Sequence, residues 1–202
     1  MLVLTSSFST VSKKLCASGT IVFGGKRVAF IPTASDPYKD KSYVIKDRRS
    51  LVKLGCDVFD VDLKNKKEEA LMLALESADT IFVAGGNVLY LADQMHKSGF
   101  TKMIRSLLIQ RTYIGSSAGS ILLGPSVRPF FEEDRGDLPK DFVLSDDRGL
   151  MLVDYVVLPH TNNQTYLEVD QKILKGFADK FHFVKLKDDE FLVEDVPATH
   201  KQ

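Results

Sequence analysis

Short apolar runs alternate with longer amphipathic segments over the first part of the chain. The short runs end at turn-forming residues and predict strands, while apolar positions three or four residues apart predict helices. The predicted strands are 2–5, 27–32, 57–61, 80–84 and 111–114. The predicted helices are 10–17, 36–54, 67–77, 87–97 and 101–110. This alternation predicts an α/β fold that is doubly wound, with a mostly parallel sheet and helices on both faces.

The pattern changes beyond residue 124. Residues 124–147 are rich in proline, glycine and acidic residues and predict a loop, with a short hairpin left open. A strand at 154–158, a helix at 165–180 and a β-rich segment at 182–193 are predicted after it. We find no internal repeat and no low-complexity linker, and 202 residues suit one domain, so we expect a single domain over 1–202.

The sequence GSSAG at 115–119 follows an apolar strand and leads into a predicted helix start. A serine at the tip of a sharp strand-to-helix turn is typical of a nucleophile elbow, and its glycines permit the turn. The N-terminus of the following helix would stabilise negative charge beside Ser117. Tight turns without catalysis also favour glycine and serine, so the motif needs companions elsewhere in the chain.

A serine nucleophile needs a general base, and the chain has four histidines. His160 follows a hydrophobic strand and begins a polar loop, which is where a base carried by a rigid scaffold is expected. The other three occupy a polar helix segment, a later strand and the tail: His96, His182 and His200. We therefore predict that His160 is the base for Ser117.

The base needs a carboxylate partner, and the segment between Ser117 and His160 offers several. The residues alone do not choose among Glu132, Glu133, Asp134, Asp137, Asp141, Asp146 and Asp147.

An oxyanion hole needs two amide donors. The amide of Ala118 is one candidate, and the glycine loop at 85–86 supplies a second. That loop could also simply form a turn capped by Asn87.

Composition excludes several other functions. The chain has 27 basic and 27 acidic residues, so no overall positive charge attracts nucleic acid. It has no signal-peptide pattern and no apolar run of membrane-spanning length. Two cysteines without C-x-x-C spacing suit a reducing compartment, and we predict a cytoplasmic protein. Serine chemistry needs no cofactor, and no metal-binding motif is present.

Three segments together resemble the signatures of peptidase family S51, which contains the aspartyl dipeptidases (dipeptidase E) and the cyanophycinases. They are VAGGN at 83–87, YIGSSAG at 113–119 and LPHTN at 158–162. LVLTSS at 2–7 and FIPTA at 30–34 also match, so the resemblance covers nearly the whole chain. It implies a flavodoxin-like fold related to the class I glutamine amidotransferases, and serine peptidase activity on small peptides.

The resemblance also implies roles for individual residues. Ser117 would be the nucleophile, His160 the base, and the amides of Gly86 and Ala118 the oxyanion hole. The acid of the family falls at about Glu132. Its neighbours stay open as alternatives: Glu133 and Asp134.

The sequence departs from the aspartyl dipeptidases at two places. Ser116 stands where they have tryptophan, and NQTYLE at 163–168 lacks the arginine implicated in binding an acidic side chain. The substrate preference therefore stays open. A cyanophycinase-like or esterase-type hydrolase and a non-catalytic ligand-binding module are the alternatives. We expect a small peptide as partner, no nucleic acid and no membrane, and a homodimer stays open.

Overall fold

Six strands form the main sheet and two more form a small separate sheet. The computed structural model describes residues 1–64 and 66–197, which leaves His200 outside the described residues. The strands are β1 (Leu2–Thr5), β2 (Arg27–Ile31), β3 (Asp57–Asp60), β4 (Thr80–Val83), β5 (Thr112–Ser116), β6 (Val156–Leu158), β7 (Phe183–Lys185) and β8 (Phe191–Glu194). The helices are α1 (Phe8–Ala17), α2 (Ser42–Lys53), α3 (Glu68–Glu76), α4 (Val88–Lys97), α5 (Phe100–Leu107), α6 (Ala118–Ile121), α7 (Phe131–Asp134) and α8 (Leu167–Phe177).

The main sheet has the order β3-β2-β4-β5-β1-β8. All its neighbouring strands are parallel except β8, which runs antiparallel to β1 at one edge. β6 and β7 form a separate parallel pair. The predicted doubly wound, mostly parallel, flavodoxin-like architecture is therefore confirmed.

Alternate residues of the same strands pack in two different hydrophobic clusters. Because both sets of side chains are buried, the strand sequences are continuously apolar. Ile81 and Val83 of β4 face the larger cluster, which includes residues of α3, α4, α5 and β6. Phe82 faces the smaller cluster, where it stacks on Phe30 with ring centroids 5.1 Å apart and meets Phe8 of α1. Helices thus cover both faces of the sheet.

Three predicted segments differ from the structure. Residues 36–41 precede α2 and are not helical, although the predicted helix included them. The predicted loop at 124–147 contains α7 between two 3-10 turns, and the hairpin is reduced to one bridge between Ser126 and Arg148. The helix after the GSSAG turn, α6, has only four residues.

The carboxyl ends of β1, β4, β5 and β6 converge on one edge of the fold. Ser6, Gly85, Ser117 and His160 follow these ends and all line one cavity. This agrees with the rule that sites in open α/β sheets lie beyond the carboxyl ends of the strands. Within the described part of the chain, no helix is both long and apolar enough to cross a membrane.

Candidate active site

Ser117 lies at the tip of the turn between β5 and α6 in a strained backbone conformation. Its φ is 50° and its ψ is −110°, which non-glycine residues rarely adopt. The Ser117 amide donates to the carbonyl of Thr5 at 2.9 Å, and the Ser117 carbonyl accepts from the amide of Ser120 at 2.8 Å. The conformation is therefore held from both sides, as expected for an elbow that presents a serine hydroxyl.

The two glycines of the elbow are required by close packing. A Cβ on Gly119 would lie 2.1 Å from the carbonyl oxygen of Val83, and one on Gly115 would lie 2.6 Å from the carbonyl of Gly119. The buried hydroxyl of Tyr113 donates to the Gly119 carbonyl at 2.7 Å and fixes the turn from below. Larger residues would push α6 away from the end of β4.

His160 reaches the serine from the end of β6. Its Nε2 lies 2.9 Å from the Ser117 hydroxyl oxygen. The His160 backbone has a φ of 61°, another left-handed value, and its ring stacks on Tyr166 with centroids 4.9 Å apart. The structure therefore brings together the two residues that the sequence predicted as nucleophile and base.

The other imidazole nitrogen of His160 faces Asp188. Its Nδ1 lies 2.6 Å from Asp188 Oδ1, which also accepts a hydrogen bond of 2.7 Å from the Ser6 hydroxyl. The Ser6 oxygen in turn accepts the backbone amide of His160 at 2.7 Å. With Asp188 ionised, Nδ1 carries the hydrogen and Nε2 is free to accept from Ser117.

The carboxylate that contacts His160 is therefore Asp188 and not Glu132, where the family resemblance placed the acid. Glu132 is exposed on α7 and does not line the cavity, and no hydrogen bond or ion pair joins it to His160 among the described residues. Pairing of β6 with β7 is the physical reason, because it sets the residues after both strands side by side. The strand-end rule would have found Asp188 and Ser6 if applied to residues outside the 117–160 interval.

Asp134, the second alternative acid, holds the glycine loop instead. Its carboxylate accepts the backbone amide of Val88 at the start of α4, and its carbonyl accepts the Asn87 side chain at 2.8 Å. Burial raises the pKa of Asp134 to about 7, against the opposing effect of the Val88 amide. Glu133, the remaining alternative, is exposed and lines the cavity.

The amides of Gly86 and Ala118 have no hydrogen-bond acceptor within the described ranges of the chain. Gly86 has a φ of +142°, and a Cβ there would lie 2.2 Å from the carbonyl oxygen of Ala34. Only glycine fits that close approach. The Asn87 side chain accepts the Tyr90 amide at 2.9 Å, so it also caps helix α4, as the alternative interpretation of this loop predicted.

These groups open into a cavity of about 590 Å³ beside Ser117. Ser116 lies in its wall, where the amide of Phe8 donates to its hydroxyl at 3.3 Å. Asp47 lies beside it, accepts the Ser9 amide at 2.8 Å, and has a pKa raised to about 6 by burial. Across residues 1–64 and 66–197, no group of three or more His, Cys, Asp or Glu side chains is arranged to hold a metal ion.

The chain is similar to several proteins that are named as peptidases. An uncharacterized peptidase of Listeria monocytogenes is 32% identical over 190 residues, which cover 94% of this chain and 91% of the relative. Peptidase E of Pasteurella multocida is 30% identical over 139 residues, covering 68% of this chain and 55% of that protein. A Listeria monocytogenes EGD-e crystal structure, solved as a candidate peptidase E, superimposes with a TM-score of 0.83 at 29% identity, covering 94% and 91% of the two chains.

The sequence also matches the profile of peptidase family S51 over residues 2–196. That match spans every strand of both sheets. The chain therefore belongs to peptidase family S51 and is a serine-type peptidase.

Proposed function

We propose that this protein hydrolyses short peptides through an acyl-enzyme, with Ser117 as nucleophile, His160 as general base and Asp188 as the acid that orients the imidazole. One observation carries the proposal. The hydroxyl, the imidazole and the carboxylate form a continuous relay, with 2.9 Å between Ser117 and His160 and 2.6 Å between His160 and Asp188.

In the proposed reaction, Ser117 Oγ attacks the peptide carbonyl while His160 Nε2 takes its proton. The carboxylate of Asp188 stabilises the resulting imidazolium. The amides of Gly86 and Ala118 are the donors for the developing oxyanion, because neither is used within the described fold. His160 then protonates the leaving amine, and water releases the acyl group by the reverse sequence of proton transfers.

The short helix α6 bears on how the oxyanion would be stabilised. With four residues it has a small macrodipole, so the helix contributes less than the sequence suggested. The individual amides then carry the electrostatic stabilisation. Their positions are fixed by the contacts of Gly86 with Ala34 and of Gly119 with Val83.

Short peptides are the substrates that fit best. A volume of about 590 Å³ lies in the range of cavities that enclose small molecules. The similarity to peptidase E supports a dipeptidase. A cyanophycinase-like hydrolase would use the same relay on a different peptide, and an esterase would use it on an ester.

A fluorophosphonate probe tests the nucleophile and separates an enzyme from a ligand-binding module. We expect labelling at Ser117, lost in Ser117→Ala and in His160→Ala. Ser116→Ala is the matched control and keeps the label. Turnover of dipeptides should fall by about three to six orders of magnitude in Ser117→Ala. Unchanged turnover in that variant, or labelling of another serine, would overturn the proposal.

A further inference from the structure

The cavity beside Ser117 is lined by many more acidic than basic side chains. Its carboxylates come from several elements: Asp40, Asp47, Glu133, Asp134, Asp137 and Asp170. The basic side chains that line it are the exposed Lys39 and His160, and none of the lining residues within the described chain is an arginine. The exposed carboxylates of this wall, Asp40, Glu133 and Asp137, therefore give it a negative potential next to the proposed nucleophile.

Burial makes part of this charge costly for the free protein. Asp47 is 4% exposed and Asp170 is 9% exposed, and burial raises the pKa of both carboxyl groups. Asp134 is affected in the same way, with Glu133 and Asp137 adding to the repulsion. A cation in the cavity would relieve this repulsion, whereas a ligand carboxylate would increase it.

Tyr43 is a partly buried residue of the same wall. Its side chain lines the cavity, and its buried hydroxyl has no hydrogen-bond partner among the described residues. Burial and the charges of Asp40 and Asp47 both raise its pKa, so the hydroxyl keeps its proton. Buried hydroxyls are rarely left unpaired, because they lose their hydration without gaining a partner.

We propose that this cavity selects peptides by a positively charged group, an ammonium or guanidinium, and rejects acidic side chains. The proposal rests on the proposed function, because it assumes that the peptide lies beside Ser117. The charge has two sources in a short peptide: the side chain of lysine or arginine, and the amino terminus. Both would bind through the same carboxylates.

Matched substrates distinguish the two sources. We would compare kcat/KM for Lys-Ala, norleucine-Ala and Asp-Ala, and for Ala-Lys and Ala-norleucine, each with a free and an acetylated amino terminus. Norleucine keeps most of the length of lysine without its charge. If the side chain is bound, lysine exceeds norleucine by at least tenfold. If the amino terminus is bound, acetylation of norleucine-Ala lowers kcat/KM by a similar factor.

The charge of the wall is tested with the double variant Glu133→Gln/Asp137→Asn. We expect the advantage of the cationic substrate over its neutral match to fall about tenfold. Glu132→Gln is the control, because it removes one negative charge from the helix that carries Glu133, at a position outside the cavity. It should leave the ratio unchanged.

Binding to Ser117→Ala, followed by calorimetry, keeps this inference separate from the proposed chemistry. Lys-Ala should bind this variant at least tenfold more tightly than acetyl-norleucine-Ala, whether or not the wild-type protein reacts with the probe. Absent labelling would contradict the proposed function alone. Equal binding of charged and uncharged peptides, or a preference for Asp-Ala, would overturn the cation proposal.

Discussion

Replacing Asp188 by asparagine tests its proposed role as the acid directly. The side chain keeps nearly the same shape but loses its charge, while His160 Nδ1 lies 2.6 Å from Oδ1 in the intact protein. With an effective dielectric constant of about 20, a unit charge pair at that distance gains roughly 6 kcal/mol. The two side chains are 19% and 29% exposed, so solvent screens part of this energy.

A net loss of roughly 3–5 kcal/mol in transition-state stabilisation is therefore expected for Asp188→Asn. Each tenfold change in rate corresponds to about 1.36 kcal/mol, so kcat should fall by about 10² to 10⁴. KM should change little, because the relay interacts with charge that develops only during the reaction. Steady-state hydrolysis of a dipeptide substrate measures both quantities.

Asp189→Asn is the matched control for this variant. Asp189 is exposed, and among the described residues its side chain has no hydrogen-bond partner, while its backbone carbonyl accepts from Lys14 Nζ at 3.1 Å. We expect kcat within about twofold of wild type, as for surface substitutions without specific contacts. A kcat for Asp188→Asn within threefold of the control would refute the relay through Asp188.

Three further predictions concern the elbow and its surroundings. Gly119→Ala should lower the free energy of unfolding by about 3 kcal/mol or more, because its Cβ would lie 2.1 Å from the Val83 carbonyl oxygen. The same change should abolish probe labelling. Urea denaturation that matches wild type would contradict this. Tyr113→Phe removes a buried hydrogen bond of 2.7 Å and should cost about 1–2 kcal/mol in the same assay, so an unchanged midpoint would count against the bond. Asp134 has a pKa raised from 3.8 to about 7 in the fold, so the folded state holds its proton more tightly than the unfolded chain does. The protonated carboxyl therefore stabilises the fold in acid. The free energy of unfolding falls by up to roughly 4 kcal/mol as the pH rises through 7. Asp134→Asn should remove this dependence between pH 4.5 and 7.5, and equal slopes for variant and wild type would disprove it.

The sheet, the elbow and the approach of His160 to Ser117 could be predicted from the sequence because each has a local signal. Continuous apolar runs such as residues 80–84 mark strands that are buried on both faces, and glycine on both sides of Ser117 marks the sharp turn. Local patterns also showed that His160 follows a strand end. These features depend on residues close together in the chain.

The acid partner had only a weak local signal, because its position shortly after the three-residue strand β7 is shared by Asp189. Asp188 lies 28 residues beyond His160, and only the pairing of β6 with β7 brings the two together. Short three-residue strands have little pattern from which such a pairing could be deduced. The resemblance to peptidase family S51 placed the acid at about Glu132, but α7 directs that part of the chain toward the glycine loop through Asp134. The contact between His160 and Asp188 therefore depends on the pairing of two distant strands, which residue spacing along the chain does not reveal.

The hydrogen bond between Ser6 and Asp188 joins residues 182 positions apart, and the contact of Ser6 with His160 spans 154. Contacts of such separation form late in folding, since the intervening chain must first lose its entropy. A growing or clipped polypeptide that lacks residue 188 would have the elbow but not the complete relay. Cleavage by the proposed relay would then wait until the segment that carries Asp188 had docked beside His160, and recovery of activity during refolding would report that docking step.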